Sequence, residues 1–308
     1  MLNFLLDITP DKSQLLITIK LAGILREKKQ EVYYTYTSNP AFTPVLYDKG
    51  ISNCVLYPDD FRWLKPDLTL LDCRHAAHAS LYRQLAIAYI FIAMQLPNQK
   101  NIQDKDISVL YLPPTPYLSS GSGPRVESLA KRLQDIKKDK GRNIIVGLLG
   151  KGNKNSKILE DFYRVIKRSS IRNPRYQFIL LTDIPNVYQS SELPDNMELF
   201  RTLNLNTILP LCDLALTDSH SDAWLDCTFA QIPVLKYSPK DMINITPMKL
   251  EQQIEYALQN KTTLTQKAKE LCDFFERKNR EINKIADMLI ERAGRNRYNS
   301  CRLRPHTY

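Results

Sequence analysis

Four short segments carry side chains suited to acid–base chemistry or anion binding, and each follows a predicted strand. They are residues 11–14 (DKSQ), 72–78 (DCRHAAH), 148–157 (LLGKGNKNSK) and 217–222 (TDSHSD). In open α/β sheets, ligands bind outside the carboxyl ends of the strands. These segments are therefore the candidate sites, and their chemistry is phosphate binding and proton transfer at a hydroxyl group.

The turn at residues 217–222 precedes a predicted helix, whose first N–H groups and positive dipole end attract anions. Ser219 and Ser221 can donate to a phosphate, whereas Asp218 and Asp222 repel it. At roughly 5 Å each carboxylate costs about 1–3 kcal/mol unless a cation intervenes. The cations that can intervene are His220, Lys236 and the lysines of residues 151–157. The alternative is a self-capped helix without a ligand.

The glycine- and lysine-rich loop after residue 149 is the second candidate for a diphosphate site. Gly150 and Gly152 let backbone N–H groups approach a phosphate, and Lys151 adds a positive charge. The loop lacks the Gly-Lys-Ser/Thr ending of a P-loop, so magnesium-dependent phosphoryl transfer is not expected. An ordinary strand-to-helix turn is the alternative.

The segment after the first strand is the third candidate. Asp11 can act as a general base on a hydroxyl group, with Lys12, Ser13 and Gln14 beside it. The alternative is that Asp11 or Ser13 caps the helix that follows.

The fourth candidate is an acid–histidine couple. Asp72 ends a predicted strand, and His75 can pair with it so that the carboxylate tunes the imidazole. A helix cap with surface histidines, His75 and His78, is the alternative. Cys73 with the two histidines suggests a metal, but the sequence shows no further ligand cluster nearby, so we expect none.

Strand and helix patterns alternate along the chain, which predicts parallel sheets covered on both faces. Strands are predicted at residues 2–8, 31–37, 51–57, 65–72, 88–94, 142–150 and 176–183, and helices at 14–30, 76–86, 157–170 and 265–294. A proline-, serine- and glycine-rich stretch interrupts the pattern. We expect an α/β protein of two Rossmann-like, doubly wound domains that face each other across a cleft. The divisions are 1–115, a linker at 116–124, 125–294, and a basic tail at 295–308.

The chain has 308 residues, 43% hydrophobic and 25% charged, the balance of a globular protein. Its net charge of +10 is uneven, since residues 1–118 carry +1 and residues 119–308 carry +9. Basic clusters at 125–142 and 292–304 attract phosphates, anionic lipid or nucleic acid. Peripheral contact with an anionic membrane and a partner protein are open expectations. Nucleic acid is disfavoured because few aromatic side chains accompany the basic clusters.

Targeting and redox signals predict a cytoplasmic protein, or one peripheral at the inner membrane face. The N-terminal residues MLNFLLDITPDK lack a basic segment and a small-residue cleavage site, which predicts no signal peptide. The longest apolar run, residues 85–97, is too short for a membrane span. The six cysteines form no CxxC motif and are expected to be reduced, mostly core residues.

Three segments together resemble the GT-B glycosyltransferases, and most closely the UDP-glycosyltransferase-like family with the macrolide and MurG-type enzymes. The first, LAGILREKKQEVYY, is similar to that family's first helix and second strand. The second, KPDLTLLD followed by RQLAIAYIFI, is similar to its Pro-Asp-Leu strand and the helix after it. The most specific is LPLCDLALTDSHSDAWLDCTFAQIPVLKYSP, which resembles the signature Leu-Pro-x-Cys-Asp, strand, Thr-His-Gly-Gly-x-Gly-Thr, helix, Gly-Ile/Val-Pro-Val.

The resemblance implies transfer of a sugar from a nucleotide-sugar of UDP or TDP type to an unknown acceptor, without a metal or other cofactor. It places the donor diphosphate near residues 150–152 and 218–221, and the acceptor near residues 11–14 and 72–78. Asp11 or His75 is then the base. The family's aspartate near Asp72 supports a histidine base that follows the first strand.

Several family residues are replaced in this sequence. The position of the base histidine holds Gln14, which cannot accept a proton at neutral pH. The glycine turn reads Asp218-Ser219-His220, and the helix glutamate that binds ribose or sugar hydroxyls is Asp226. The acid–glutamine pair that holds the donor sugar is absent after Ser238. These losses keep a second hypothesis open, in which the protein is a non-catalytic GT-B-like partner or binding subunit. The basic clusters keep open a third and weaker hypothesis, a transferase that acts on nucleic acid.

Overall fold

The computed structural model describes residues 1–8, 12–35, 64–94, 103–104, 107–116, 124–149, 156–182, 193–219 and 222–302. The chain divides into two compact units. Unit 1 comprises residues 1–115 and 274–308, and unit 2 comprises residues 116–273. The predicted strand at 51–57 and most of the predicted linker lie outside the described residues.

Unit 1 is built on a sheet of six strands in the order β2-β1-β3-β4-β6-β5. Its strands are β1 (Asn3–Asp7), β2 (Glu31–Tyr34), β3 (Leu68–Asp72), β4 (Tyr89–Met94), β5 (Gln103–Asp104) and β6 (Ile107–Leu112). All neighbouring strands are parallel except the short edge strand β5, which is antiparallel to β6.

Helices cover both faces of this sheet. They are α1 (Lys12–Glu27), α2 (His78–Gln84) and, from the end of the chain, α10 (Ile282–Arg302). Along β1 the side chains alternate, so that Phe4 and Leu6 pack with α1 and α10, whereas Leu5 packs with α2. The strand is buried on both faces, as the continuous apolar run predicted.

Unit 2 contains a fully parallel five-stranded sheet in the order β11-β10-β7-β8-β9. Its strands are β7 (Asn143–Leu149), β8 (Tyr176–Thr182), β9 (Met197–Phe200), β10 (Leu214–Asp218) and β11 (Val234–Tyr237). Its helices are α3 (Pro124–Lys140), α4 (Ser156–Arg172), α5 (Leu205–Ile208), α6 (Ala223–Phe229), α7 (Pro239–Asn244), α8 (Pro247–Gln259) and α9 (Lys261–Arg280), the last reaching into unit 1. One face packs against α4 and α8, and the other against α3 and α6.

Both sheets have a topological switch point beside their first strand. In unit 1 the chain moves from β1 to β2 on one side and then to β3 on the other. In unit 2 it moves from β7 to β8 and later returns to β10 on the opposite side of β7. Crevices form at such points, outside the carboxyl ends of the two strands. Asp7 and Asp72 end the two strands in unit 1, and Leu149 and Asp218 end those in unit 2.

The end of the chain differs from the predicted division. Residues 265–294 were expected to form one helix within the second domain, followed by a basic tail. The structure instead forms α9 and α10, and α10 continues to Arg302. Its residues Ala286, Leu289 and Ala293 are buried in the core of unit 1. The apolar face of α10 therefore packs against a sheet whose strands lie far away in sequence. Helical periodicity predicts the apolar face but not the sheet that it contacts.

Arg297 illustrates the same correction. Its Nη1 donates to the Met1 carbonyl at 2.8 Å, and its Nε lies 3.0 Å from Asp67 Oδ1. This arginine of the predicted basic tail thus holds α10 against the start of the chain. For the other basic residues of the tail, attraction of phosphates or anionic lipid stays a prediction.

Other sequence predictions are confirmed. The predicted helix at 76–86 is observed as α2, and the predicted apolar strand at 88–94 as β4. Cys212, Cys227 and Cys272 are buried, as expected of core cysteines. Among the helices of the described segments, none combines the length and apolarity needed to span a bilayer.

Candidate functional site

A buried carboxylate at the switch point of unit 1 binds two histidines. Asp7 ends β1, and its side chain is only 2% exposed. Its Oδ1 lies 3.0 Å from His75 Nδ1, and its Oδ2 lies 2.7 Å from His78 Nδ1. The Tyr82 hydroxyl donates to Oδ2 at 2.6 Å, and the Thr35 hydroxyl donates to Oδ1 at 3.2 Å. We call Asp7, His75 and His78 the Asp7 cluster.

These hydrogen bonds set the tautomer of both imidazoles. An ionised carboxylate only accepts, so His75 Nδ1 and His78 Nδ1 must each carry a proton toward Asp7. In the neutral ring the other nitrogen, Nε2, is then the proton acceptor. A buried carboxylate that holds Nδ1–H while Nε2 accepts a proton is the arrangement found in histidine general bases.

The local sequence explains why the two histidines converge on one carboxylate. The chain leaves β3 in a 3₁₀ turn, Cys73–His75, which Asp72 caps by accepting from Arg74 N at 2.9 Å. Three residues later His78 begins α2, and a spacing of three keeps both rings on the same side. Their ring centroids are 4.9 Å apart. Because β1 pairs directly with β3 in parallel, the turn passes beside Asp7.

Tyr82 holds the Asp7 carboxylate in place by a hydrogen bond from its hydroxyl. Burial and the adjacent Asp7 carboxylate both raise the pKa of the Tyr82 hydroxyl, which stays protonated as a donor. Tyr82 is fully buried in the small core between the sheet and α2. Asp7 is therefore held rigidly, while the rings of His75 and His78 remain 25% and 51% exposed.

The predicted pairing of Asp72 with His75 is wrong, because a different carboxylate binds this histidine. Asp72 does end β3, and its side chain accepts from the backbone N–H and Nε of Arg74. The carboxylate bound to His75 is Asp7, 68 residues earlier in the chain. Asp72 is adjacent in sequence but is engaged by the turn that it caps. The proposed base His75 keeps a carboxylate partner nonetheless.

The first helix begins one residue after Asp11. Asp11 lies outside the described residues, so its predicted role as a base stays a prediction. Lys12 begins α1, and Ser13 and Gln14 are buried in its first turn. The position that the sequence resemblance assigns to the base histidine is thus held by Gln14, a buried amide that cannot take a proton.

In unit 2, the switch point carries Asp218 at the end of β10. Asp218 is 1% exposed, whereas the next residue, Ser219, is exposed. The Ser219 N–H donates to the Tyr237 carbonyl at 2.8 Å and extends the pairing of β10 with β11. The backbone N–H of Ser219 is therefore engaged within the sheet, and its side chain is the part of this residue that can donate to a phosphate.

Lys236 of β11 supplies a cation beside this turn. Its Nζ lies 4.4 Å from the centroid of the Trp224 ring in α6, a cation–π contact. Burial lowers the pKa of Lys236, and the opposite charges of Asp222 and Asp218 counteract that shift. Lys236 was one of the cations predicted from the sequence to offset the charges of Asp218 and Asp222, and it does interact with both.

The helix after the turn is short. Asp222 precedes α6, and its side chain makes no capping hydrogen bond. Asp226, which the sequence resemblance assigns to the position of the family glutamate, is 8% exposed and lies within α6. Gly150, Lys151, Gly152, His220 and Ser221 lie outside the described residues, and their predicted contacts with a nucleotide stay predictions.

Asp213 of the signature stabilises the sheet rather than the turn. Its side chain is 3% exposed and accepts from Ile144 N at 2.8 Å and Lys137 Nζ at 2.9 Å. Lys261 Nζ contacts the same carboxylate. Burial acts to raise the pKa of Asp213, but the donors from Lys261, Ile144 and Lys137 outweigh it and lower the pKa.

Solved structures resemble this chain over almost its whole length. The glycotransferase of kitacinnamycin aligns with a TM-score of 0.68 at 12% identity, over 94% of this chain and 98% of that one. The spinosyn forosaminyltransferase SpnP aligns with a TM-score of 0.66 at 14% identity, over 95% and 99%. The spinosyn rhamnosyltransferase SpnG, in a structure complexed with thymidine diphosphate, aligns with a TM-score of 0.66 at 11% identity, over 92% and 100%.

The chain has the GT-B fold. The resemblance stated from the sequence is thereby confirmed for the fold, with two parallel-sheet α/β units. Neither the protein-family models nor the curated proteins contain a match to this sequence. At such low identity the GT-B likeness does not extend to individual site residues.

Sequence reasoning missed Asp7, Tyr82 and Thr35. Asp7 had a signal, because it ends an apolar strand at the point where α/β proteins bind ligands. Tyr82 and Thr35 had none, because each reaches Asp7 from a different element.

Proposed function

We propose that this GT-B protein is a glycosyltransferase that moves a sugar from a UDP- or TDP-type nucleotide-sugar to a hydroxyl acceptor, with His75 as general base. The observation that carries the proposal is the buried Asp7 carboxylate on His75 Nδ1. The base would remove the acceptor proton as the hydroxyl attacks the sugar. The proton moves to His75 Nε2, and the nucleoside diphosphate leaves.

An exchange of positions supports the base assignment. In the family that the sequence resembles, a histidine after the first strand pairs with an aspartate after a later one. Here the aspartate, Asp7, ends the first strand, and the histidine, His75, follows β3. The couple bridges the same two neighbouring strands in reverse order. The loss of the family histidine at Gln14 is therefore compensated chemically.

His75 is a better base than His78. It follows directly from β3, and its ring is 25% exposed, which limits access of water to the reacting nitrogen. The His78 ring is 51% exposed and begins α2. We assign His78 no part in the transfer step.

Structures of similar fold support the donor and acceptor classes. SpnG has been solved complexed with thymidine diphosphate and also with spinosyn aglycone. Those ligands belong to SpnG. For this chain we propose a nucleoside diphosphate at the carboxyl ends of β7 and β10, with Lys236 offsetting Asp218 and Asp222. A metal-independent reaction is part of this proposal, since Lys236 and backbone N–H groups can neutralise the leaving diphosphate.

The test combines nucleotide binding with donor turnover. UDP, TDP and GDP are titrated while the melting temperature is measured, because a ligand that binds only the folded state raises it. Release of nucleoside diphosphate from UDP- and TDP-sugars is then measured for wild type, His75→Ala and His78→Ala. His75→Ala should lower kcat by about 10²- to 10⁴-fold, the usual contribution of a general base. His78→Ala should stay within about tenfold of wild type.

Two results would overturn the proposal. If none of the three nucleotides stabilises the protein at millimolar concentration, the chain is not a nucleotide-sugar enzyme, and the non-catalytic alternative replaces it. If His75→Ala turns over donor as fast as wild type, the base has been assigned to the wrong residue.

Lys236 provides a second prediction. Lys236→Met removes the positive charge that interacts with both Asp218 and Asp222, so each carboxylate would repel the diphosphate more strongly. We expect the affinity for UDP or TDP to fall by about 5- to 100-fold, corresponding to about 1–3 kcal/mol. Isothermal titration calorimetry measures it. Lys240→Met, an exposed lysine on the neighbouring α7, is the control and should bind nucleotide as wild type does.

A further inference from the structure

We propose that the Asp7 cluster is also a binding site for a transition-metal ion of the Zn²⁺ class. One carboxylate and two imidazole nitrogens lie within 4.8 Å of one another. The inference does not depend on the glycosyltransferase proposal. It departs from the expectation of no metal, which considered Cys73, His75 and His78 without Asp7 because Asp7 is distant in sequence.

The three side chains need a modest rearrangement to surround an ion. Tetrahedral zinc with bonds of 2.0–2.1 Å separates its ligand atoms by about 3.3 Å. The Asp7 contacts are 3.0 Å from Oδ1 to His75 Nδ1 and 2.7 Å from Oδ2 to His78 Nδ1, so they involve the two different carboxylate oxygens. One ligand atom from each of the three residues lies within 4.8 Å of the others, so the side chains must move by about 1 Å to close around an ion. His78 can move most readily, since its ring is half-exposed.

The ligand types select the metal. Two imidazoles and one carboxylate suit Zn²⁺, Co²⁺ or Ni²⁺, whereas Mg²⁺ and Ca²⁺ prefer oxygen ligands throughout. Three protein ligands leave a fourth position for water, the composition of open zinc sites. With neutral imidazoles, the site carries one negative charge to bind a divalent ion.

Tyr82 and Thr35 hold the carboxylate in place. Carboxylates that bind metals are themselves hydrogen-bonded, which fixes their orientation. The Tyr82 hydroxyl donates to Oδ2 and the Thr35 hydroxyl to Oδ1, so both oxygens stay supported when the histidine protons leave. The acid is thus buried and oriented before any ion arrives.

Metal binding has a consequence for the imidazoles. Once Nδ1 binds the ion, the ring proton sits on Nε2, which then has no lone pair to accept another proton. Zinc and the base role of His75 therefore exclude each other. Zn²⁺ should inhibit donor turnover, and a chelator should restore it.

The test measures Zn²⁺ binding directly, on the full chain without a histidine tag, by competition with a chromophoric chelator. We expect one Zn²⁺ per chain for wild type and no competition from Mg²⁺. His78→Ala should weaken binding by about 100-fold or more, and Tyr82→Phe by about tenfold, the usual effect of an outer hydrogen-bond partner. His220→Ala removes a histidine far away in sequence and is the matched control, with wild-type affinity expected.

Equal Zn²⁺ affinity in wild type, His78→Ala and Asp7→Asn would overturn the metal site, as would equal loss in His220→Ala. The competition assay reads zinc affinity without any donor, so this outcome is separate from failure of the glycosyltransferase proposal. Loss of zinc with wild-type turnover in His75→Ala supports the metal site alone.

Discussion

Asp7→Asn is expected to lower donor turnover by about 10²- to 10⁴-fold, the range in which a histidine base loses its effect when its carboxylate no longer holds the right tautomer. The amide has one donor group and one acceptor oxygen in place of two acceptors. It cannot accept from His75, His78 and Tyr82 together, so at least one hydrogen bond reverses or is lost. Rates of UDP or TDP release measure the effect.

The signature of a positioning role is a fall in kcat with little change in nucleotide affinity, because Asp7 belongs to unit 1 and the proposed diphosphate site to unit 2. The control is Asp67→Asn. Asp67 is also largely buried and accepts from Asn3 N at 2.8 Å, but it precedes β3 and thus lies at the opposite end of the sheet. Equal turnover in Asp7→Asn and Asp67→Asn would contradict the assignment.

Asp213→Asn is expected to destabilise the protein by about 2–4 kcal/mol, as loss of a hydrogen-bonded buried charge does. The carboxylate joins β10 to the Ile144 N–H of β7 and to Lys137 and Lys261. The cost is smaller than that of breaking a fully buried pair, because both lysines are more than 40% exposed and solvent screens their charges. Urea unfolding followed by circular dichroism measures it.

The pH dependence of this effect has a definite sign. The pKa of Asp213 is lowered in the folded protein, so its carboxylate stabilises the fold above the ordinary carboxyl pKa and loses that contribution as pH falls through the folded value. The difference between wild type and Asp213→Asn should therefore be full at pH 7 and shrink below about pH 4. Asp161→Asn breaks an exposed pair with Arg164 and should cost less than about 1 kcal/mol. If both substitutions cost the same, Asp213 is not the anchor described.

Local periodicity was sufficient for most of the strand and helix order. Apolar runs such as residues 2–8 became strands buried on both faces, and the signature at 209–239 contains the predicted strand, helix and second strand. These patterns depend on residues close together in the chain, where side-chain spacing and backbone geometry are directly linked. The GT-B resemblance rested on the same local features, and the solved structures confirm it for the fold.

The sequence by itself determined that Asp72, His75 and His78 follow one strand and that Asp213, Asp218 and Lys236 belong to the signature region. Only the tertiary structure decided which of these side chains bind one another. The partner of His75 is Asp7, because the parallel pairing of β1 with β3 brings residues 68 positions apart into hydrogen-bonding distance. In the same way α10 joins the core of unit 1 across more than 200 residues. Such contacts follow from sheet register and from complementary apolar surfaces, which no local pattern of side chains encodes.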